Sequence, residues 1–235
     1  MELKSMDIEI KGPRGTFSGY FSSPSVGKFP GVVVIQEIFG VNVHIRSVCD
    51  RLALEGYAVL APDLFWSIRP NIKLGYTPDD IAEGRGYKDE MNLDAVVEDV
   101  RATFDTLSLR NETGGTKMGL TGFCWGGLVS YLSACRLQPA ATAAYYGGGI
   151  VNFLDEASNI NAPIIFHFGE QDKGIPMDQV GQIQARVTSL PDSAVYTYPE
   201  ADHGFHCDMR GSYHAESAKQ AWQRSLAFFQ KHLKG

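Results

Sequence analysis

This sequence of 235 residues lacks the features of nucleic-acid-binding, disulfide-bonded, membrane and zinc-binding proteins. The 21 lysine and arginine residues are outnumbered by 27 aspartate and glutamate residues, so we expect no nucleic-acid partner, which would need a basic face. The four cysteines lack C-x-x-C spacing and predict reduced thiols in a cytoplasmic protein. No run approaches the ~18 apolar residues of a membrane helix, and no histidine pair has zinc-ligand spacing. We therefore expect neither a membrane partner nor a metal.

What is present is an alternation of short apolar, β-rich runs with helical patterns along the whole chain. Eight strands are predicted: Asp7–Lys11, Thr16–Phe21, Gly31–Gln36, Ala58–Ala61, Met118–Thr121, Thr142–Tyr146, Ile164–Phe168 and Val195–Tyr198. Five helices are predicted: Val43–Gly56, Glu90–Arg110, Gly126–Cys135, Met177–Leu190 and Ser212–His232. This alternation indicates an α/β fold with a mostly parallel eight-stranded sheet, opened by an antiparallel pair and flanked by helices. Since no linker interrupts it, we predict one domain over residues 1–235, without a separate cap, and a monomer.

The segment Asp63–Asp89 departs from this regularity. It is rich in turn-forming residues and follows directly after a predicted strand. A long irregular excursion at that place is typical of a binding loop. We therefore predict an irregular segment that could cover a site.

The motif with the clearest chemistry is Gly122-Phe123-Cys124-Trp125-Gly126, between an apolar strand and a helical stretch. It has the pattern of a nucleophile elbow, with cysteine where serine is usual. The glycines two residues away on each side allow strand and helix to approach at a sharp, strained turn. That turn would expose the sulfur at a helix N-terminus, where the peptide dipoles favour a thiolate. We predict Cys124 as the nucleophile.

An acid and a histidine follow in the order that such a site needs. Asp172 lies past the strand PIIFHF and His203 past the strand VYTY, so both should meet Cys124 at one edge of the sheet. His203 would take the thiol proton and return it to the leaving group, and Asp172 would orient the imidazole. Glu170 and Asp202 are the rival acids, and we expect both to be solvated loop charges.

Backbone N–H groups are needed for the oxyanion that forms during acyl transfer. The N–H of Trp125 is one candidate, and the N–H of Ile38, in the loop after GVVVIQ, is the second. The same loop places Glu37 at a strand end that should face the elbow. We expect the Glu37 carboxylate to keep Cys124 protonated at rest, with activation when substrate binds. No cofactor is expected, since these groups suffice for the chemistry.

The chain resembles the dienelactone hydrolase (carboxymethylenebutenolidase) family over nearly its whole length, in VIQEIFGVNVHIRSVCDRLALEGYAVLAPDL, GLTGFCWGG, AAYYGGG, FGEQD and ADHGFHCDMRGSY. With the eight-strand pattern, the resemblance implies an α/β-hydrolase fold and the triad Cys124, Asp172 and His203. It also implies hydrolysis of a small-molecule substrate, a dienelactone, to maleylacetate through a thioester acyl-enzyme, in the degradation of aromatic compounds.

Three further residues receive roles from this resemblance. Glu37 would correspond to the family's glutamate that contacts the resting thiol. Tyr145 would correspond to a tyrosine near the nucleophile, and we place it with the substrate-binding residues. Phe39, in the QEIFG segment, is predicted to bind substrate as well.

Two positions depart from the family members that act on dienelactone. Those members hold the substrate carboxylate with arginines, one of them four residues after the catalytic histidine, where this chain has Cys207. They carry a serine directly after that histidine, where this chain has Gly204. We predict two replacement cations for an anionic substrate: Arg210, three residues past Cys207, and Arg85, in the irregular segment.

Two other functions remain open. A general carboxylesterase or thioesterase would use the same triad, and the missing carboxylate-holding arginine favours it. A non-catalytic ligand-binding or thiol redox-sensing protein would keep a pocket but would not need Cys124, Asp172 and His203 together. A comparison of neutral with anionic esters separates the first alternative from a dienelactone hydrolase.

Overall fold

The computed structural model describes residues 2–235, with the side chains of residues 115 and 116 excepted. The eight strands are β1 (Leu3–Gly12), β2 (Gly15–Pro24), β3 (Phe29–Ile35), β4 (Ala58–Pro62), β5 (Thr113–Phe123), β6 (Ala141–Tyr145), β7 (Ile164–Gly169) and β8 (Ala194–Tyr198). The α-helices are α1 (Val43–Leu54), α2 (Pro78–Glu90), α3 (Leu93–Ser108), α4 (Trp125–Arg136), α5 (Met177–Val187) and α6 (Ala215–Leu233). All predicted strands and helices are present with shifted ends, and α2 and a 3₁₀ segment (Ile150–Asn159) are additional.

The chain divides into two compact units, Met1–Gly119 and Leu120–Gly235, and the boundary falls within β5. In the first unit β2 pairs antiparallel with both β1 and β4, and β3 is parallel to β4. In the second unit β6, β7 and β8 are parallel neighbours. The strand order is β1-β2-β4-β3-β5-β6-β7-β8. The single domain over residues 1–235 stays a prediction.

Burial of the strands follows their composition. Every residue of β4, β6 and β7 is buried, as near-continuous apolar runs require when both faces of a sheet are covered. The polar strand β1 is mostly exposed and pairs with β2 across a tight turn, which confirms the predicted antiparallel pair. Within residues 2–235, no helix is both long and apolar enough to cross a membrane.

The prediction of an irregular segment over Asp63–Asp89 is wrong in its second half, where α2 spans Pro78–Glu90. Thr77 caps this helix: its side chain accepts the N–H of Asp80, and the Asp80 carboxylate accepts the N–H of Thr77. A proline at the first helical position completes the start signal. The helix has no apolar stripe and contains two glycines, so hydrophobic periodicity did not reveal it.

The first half of the segment is irregular, as predicted, but it is fixed by buried carboxylates. Asp63 accepts the N–H of Asn71 at 2.6 Å and closes the loop between them. Trp66 donates its indole N–H to Asp99 of α3 at 2.8 Å. Both aspartates are buried, so these hydrogen bonds tie the loop to the interior of the first unit.

Candidate active site

Cys124 lies in the turn between β5 and α4, and its backbone is strained. Its φ of 57° and ψ of −120° are unusual for a residue other than glycine. The turn is possible because Gly122 lacks a side chain: a Cβ there would lie 2.2 Å from the carbonyl oxygen of Gly126. The N–H of Cys124 donates to the carbonyl of Tyr145 in β6 at 3.1 Å. These contacts hold the half-buried residue at the start of α4, as a nucleophile elbow requires.

The loops after β5, β7 and β8 bring Cys124, Asp172 and His203 together. His203 Nε2 lies 3.1 Å from Cys124 Sγ, and His203 Nδ1 lies 2.7 Å from Asp172 Oδ2. The other carboxylate oxygen of the buried Asp172 accepts the N–H of Gly174 at 2.8 Å, which fixes the carboxylate. This geometry lets the imidazole exchange a proton with the sulfur while the carboxylate holds the Nδ1–H tautomer.

The two rival acids bond elsewhere. Glu170 Oε1 accepts the hydroxyl proton of Thr197 at 2.7 Å. Asp202 Oδ1 accepts the backbone N–H of His203 at 2.6 Å, so it fixes the turn and leaves the imidazole to Asp172. Both rival residues are exposed, in agreement with the expectation of solvated loop charges.

The surroundings of His203 favour its charged form. Burial lowers the pKa of His203, but the negative charge of Cys124 and the hydrogen bonds to Asp172 and Cys124 outweigh it and raise the pKa to about 10. An imidazolium at His203 can give a proton to the leaving group of an ester.

The loop that carries His203 is a succession of tight turns. The N–H groups of Phe205, Cys207 and Arg210 each donate to the carbonyl three residues earlier in the chain. Ser212 Oγ donates to the carbonyl of His203 at 2.7 Å. These hydrogen bonds fix the backbone that presents the imidazole.

Gly204 and Arg210 lie against each other inside this loop. Gly204 has a φ of 79°, and a Cβ there would lie 2.4 Å from Arg210 Nη1 and 2.8 Å from Arg210 Nε. The guanidinium therefore fills the space that a larger residue directly after His203 would need. The predicted substrate cation Arg210 thus belongs to the loop that carries His203.

Trp125, the predicted oxyanion donor, is the first residue of α4. The first N–H groups of a helix have no acceptor inside the helix, and they form the positive end of its dipole. The N–H of Gly127 donates back to the carbonyl of Cys124 at 2.9 Å, which fixes this first turn. Donation by the Trp125 N–H to a developing negative charge stays a prediction.

Glu37, Ile38 and Phe39 lie in the first unit, in the loop after β3, and all three are buried. Tyr76 donates its hydroxyl proton to Glu37 Oε2 at 3.1 Å, and its ring meets that of Phe39 edge-on at 4.7 Å between centroids. Gly84 of α2 packs on Ile38, since a Cβ at Gly84 would lie 2.4 Å from the Ile38 carbonyl oxygen. The segment after β4 thus packs against the loop after β3. The roles of Glu37, Ile38 and Phe39 stay predictions.

Two predicted substrate-binding residues have surroundings that the sequence did not indicate. Arg85 is exposed on α2. The buried Tyr145 donates its hydroxyl proton to the carbonyl of Ala221 at 3.1 Å and contacts Ser225 Oγ at 2.7 Å, both in α6. Tyr145 reaches the elbow through its main-chain carbonyl, which accepts the N–H of Cys124. Substrate binding by Arg85 and Tyr145 stays a prediction.

Sequence reasoning missed Tyr146 as a neighbour of His203. The two rings meet edge-on with centroids 5.2 Å apart, and Tyr146 has a φ of 35°. A signal was present in the sequence, because this tyrosine ends an apolar run directly before three glycines.

Comparisons with known proteins show the family of this chain. The model of the dienelactone hydrolase family matches residues 17–233. An inferred carboxymethylenebutenolidase of Synechocystis sp. is 37% identical over 100% of this chain and 99% of the relative. Its counterpart in Escherichia coli is 36% identical over 88% of this chain and 79% of the relative.

Solved structures lead to the same fold. The crystal structure of an inferred dienelactone hydrolase from Klebsiella pneumoniae has a TM-score of 0.88 and 32% identity, covering 98% of this chain and 100% of that chain. The predicted α/β-hydrolase fold, with its eight-stranded sheet and flanking helices, is confirmed. In the described residues no separate cap is inserted.

Proposed function

The chain belongs to the dienelactone hydrolase family, and we propose that it cleaves a lactone or ester with Cys124 as the nucleophile, through a thioester acyl-enzyme. Membership of the family makes it a carboxylic ester hydrolase. One observation carries the mechanistic proposal: the continuous contact from Cys124 Sγ to His203 Nε2 at 3.1 Å and from His203 Nδ1 to Asp172 Oδ2 at 2.7 Å.

In the first half of the reaction, His203 takes the proton of the Cys124 thiol, and the sulfur attacks the carbonyl carbon of the substrate. The carbonyl oxygen gains negative charge, and the N–H groups of Trp125 and Ile38 are the proposed donors to it. The C–O bond to the leaving group then breaks, and His203 gives its proton to the leaving oxygen. The acyl group remains on Cys124 as a thioester.

In the second half, His203 is neutral and takes a proton from water. The resulting hydroxide adds to the thioester carbonyl, the C–S bond breaks, and the carboxylic acid leaves. The proton on His203 then returns to the sulfur and restores the resting thiol. Asp172 accepts the Nδ1–H of His203 throughout, which orients and stabilises the imidazolium. Glu37 is the proposed control on the resting thiol, and no cofactor enters the cycle.

For the substrate we propose a lactone that carries a carboxylate, as dienelactone does. Arg210 supports this proposal because its guanidinium packs on Gly204, the residue directly after His203. The exposed Arg85 and the buried Phe39 and Tyr145 are the further candidates for substrate contact.

The second candidate function is that of a general carboxylesterase or thioesterase on the same triad. Cys207 favours it, because this residue stands four positions after His203, is buried and carries no positive charge. A neutral ester would not need a cation at that position. We further propose a cytoplasmic monomer, and the lack of C-x-x-C spacing among the four cysteines supports a reducing compartment.

Steady-state hydrolysis of dienelactone and of p-nitrophenyl acetate tests both candidates. We expect wild type to hydrolyse dienelactone, Cys124→Ala to be inactive, and Cys49→Ala to remain active as the control for loss of a buried thiol. Turnover of the aryl ester alone would keep the triad and select the second candidate. Absence of turnover on both substrates, or full activity of Cys124→Ala, would contradict the proposal.

A further inference from the structure

In the second unit, four buried polar side chains from β6, β7, β8 and α6 form a series of hydrogen bonds. The proposed mechanism does not use this series. His167 Nδ1 lies 2.9 Å from the hydroxyl of Tyr198, and His167 Nε2 lies 3.0 Å from Ser225 Oγ. Ser225 Oγ lies 2.7 Å from the hydroxyl of Tyr145, which donates its proton to a main-chain carbonyl of α6 at 3.1 Å. The four side chains belong to residues that are at most 2% exposed.

The main-chain acceptor at one end fixes the direction of every hydrogen bond in this series. The carbonyl of Ala221 can only accept, so Tyr145 uses its proton there and Ser225 must donate to Tyr145. Ser225 has no second proton, so His167 must donate to it from Nε2. His167 Nδ1 is then the acceptor for the hydroxyl of Tyr198. His167 is therefore the neutral Nε2–H tautomer.

The charge state of His167 agrees with this assignment. Burial, followed by the positive charge of Arg224, lowers the pKa of His167 to about 3. A second proton, on Nδ1, would turn that atom into a donor and deprive the Tyr198 hydroxyl of its acceptor. The series is thus a fixed brace between α6 and strands β6, β7 and β8, and it does not carry protons at neutral pH.

The brace reaches both reacting side chains through the backbone of Tyr145 and Tyr146. The carbonyl of Tyr145 accepts the N–H of Cys124 at 3.1 Å. The N–H of Tyr146 donates to the carbonyl of His167 at 2.8 Å, and the ring of Tyr146 packs edge-on against His203. A displacement of these two tyrosines would therefore move the sulfur and the imidazole relative to each other.

We propose that Tyr145, Ser225 and His167 are positioning residues that set the distance between Cys124 and His203. The proposal rests on the proposed function, because it requires this pair to perform the chemistry. The strained backbone of Cys124 persists only where neighbouring contacts enforce it. A displacement of about 1 Å in a reacting group can cost about 10²-fold in rate. Loss of the brace should therefore lower kcat and leave KM nearly unchanged.

The test removes single hydroxyl groups from the brace. Tyr145→Phe and Ser225→Ala each delete one, and Ser133→Ala is the matched control, because Ser133 is a fully buried helical serine whose hydroxyl has no partner among the described residues. The measurements are kcat and KM on the aryl ester, iodoacetamide alkylation of Cys124, and thermal unfolding. We expect about a 10- to 100-fold loss of kcat in the two brace variants. Ser133→Ala should match wild type.

Alkylation reports on the same pair of groups without substrate. At about pH 6.5, a displaced imidazole can no longer take the thiol proton, so both brace variants should react more slowly than wild type. His167→Gln places an amide N–H the same number of bonds from Cα as Nε2 and can still donate to Ser225. It should retain most of the kcat that His167→Leu loses.

Wild-type values of kcat and of alkylation in Tyr145→Phe and Ser225→Ala, with only a lower unfolding temperature, would overturn the proposal, since the series would then serve stability alone. An equal loss of kcat in His167→Gln and His167→Leu would also contradict the proposal. If wild type hydrolysed no ester, the proposed function would fail. Slower alkylation in the brace variants would still support the positioning of Cys124 by the brace.

Discussion

Because the nucleophile assigned here is a cysteine and not a serine, the residues around Cys124 have less to do to activate it. A serine hydroxyl needs a base before it can attack at neutral pH, whereas a free thiol is already about 3% ionised there. Against the effect of burial, Cys124 and Asp172 raise the pKa of His203 to about 10, which prepares this histidine to act as the acid for the leaving oxygen. The rate of ester cleavage then depends on the orientation of the imidazole.

Asp172→Asn should lower kcat on the aryl ester by about 10³- to 10⁴-fold, because an amide can donate to Nδ1 and select the wrong imidazole tautomer. Steady-state kinetics, with circular dichroism to show that the variant is folded, is the measurement. Glu170→Gln is the control: this rival carboxylate bonds to Thr197, and its loss should leave kcat unchanged. A similar loss of activity in both variants would contradict the assignment of Asp172.

Gly122→Ala should destabilise the fold by about 3 kcal/mol or prevent folding, because the new Cβ would lie 2.2 Å from the Gly126 carbonyl oxygen. Gly181→Ala, in the exposed interior of α5 where a Cβ meets nothing within 4 Å, should instead stabilise by about 0.5–1 kcal/mol. Urea unfolding measures both changes. If Gly122→Ala were as stable as Gly181→Ala, the tight elbow would be refuted.

At the scale of elements, the strands were predictable because their signal is local. The runs that became β3 and β7 are nearly all apolar, and such runs indicate strands that are covered on both faces. Helix α2 was not predicted, because it lies on the surface with no apolar stripe. Its start signal, Thr77 with Asp80 three residues later, was present in the sequence. For this helix the capping signal was a better indicator than hydrophobic periodicity.

Helix α2 also explains why Gly84 lacks a side chain. Gly84→Ala should destabilise the fold, since a Cβ would lie 2.4 Å from the Ile38 carbonyl oxygen, and the displaced Ile38 should lower kcat if its N–H is an oxyanion donor. Gly86→Ala, in the same helix with nothing within 4 Å of the new Cβ, should stabilise by about 0.5–1 kcal/mol. Thermal unfolding and kcat are the measurements. Equal stability of the two variants would contradict the contact between α2 and Ile38.

The candidate site was only partly predictable, for a physical reason. Cys124, Asp172 and His203 follow strand ends, and parallel strands deliver their loops to one edge of a sheet. The brace around His167 could not be predicted in this way, because its members come from β6, β7, β8 and α6, and only their packing brings them together. His167 is a buried core histidine, and both of its ring nitrogens have hydrogen-bond partners.

At the scale of the whole molecule, the raised pKa of His203 links folding to pH. The folded state binds this proton more tightly than the unfolded state, so the stabilisation is fully present below the unfolded pKa of about 6.5. It is lost as pH rises through about 10. The free energy of unfolding in urea should therefore fall more between about pH 7 and pH 10 in wild type than in His203→Gln. An equal fall in both proteins would contradict the coupling of His203 to Cys124 and Asp172.

The claim that Cys124 carries the acyl group is tested most directly by mass spectrometry of enzyme quenched in acid during turnover of p-nitrophenyl acetate. We predict one added acetyl group, on the peptide that contains Cys124, and its loss when turnover is allowed to finish. Cys124→Ala should show no added group and no turnover. An acetyl group on another residue that forms and decays at the rate of turnover, or turnover by Cys124→Ala, would contradict the assignment of Cys124 as the nucleophile.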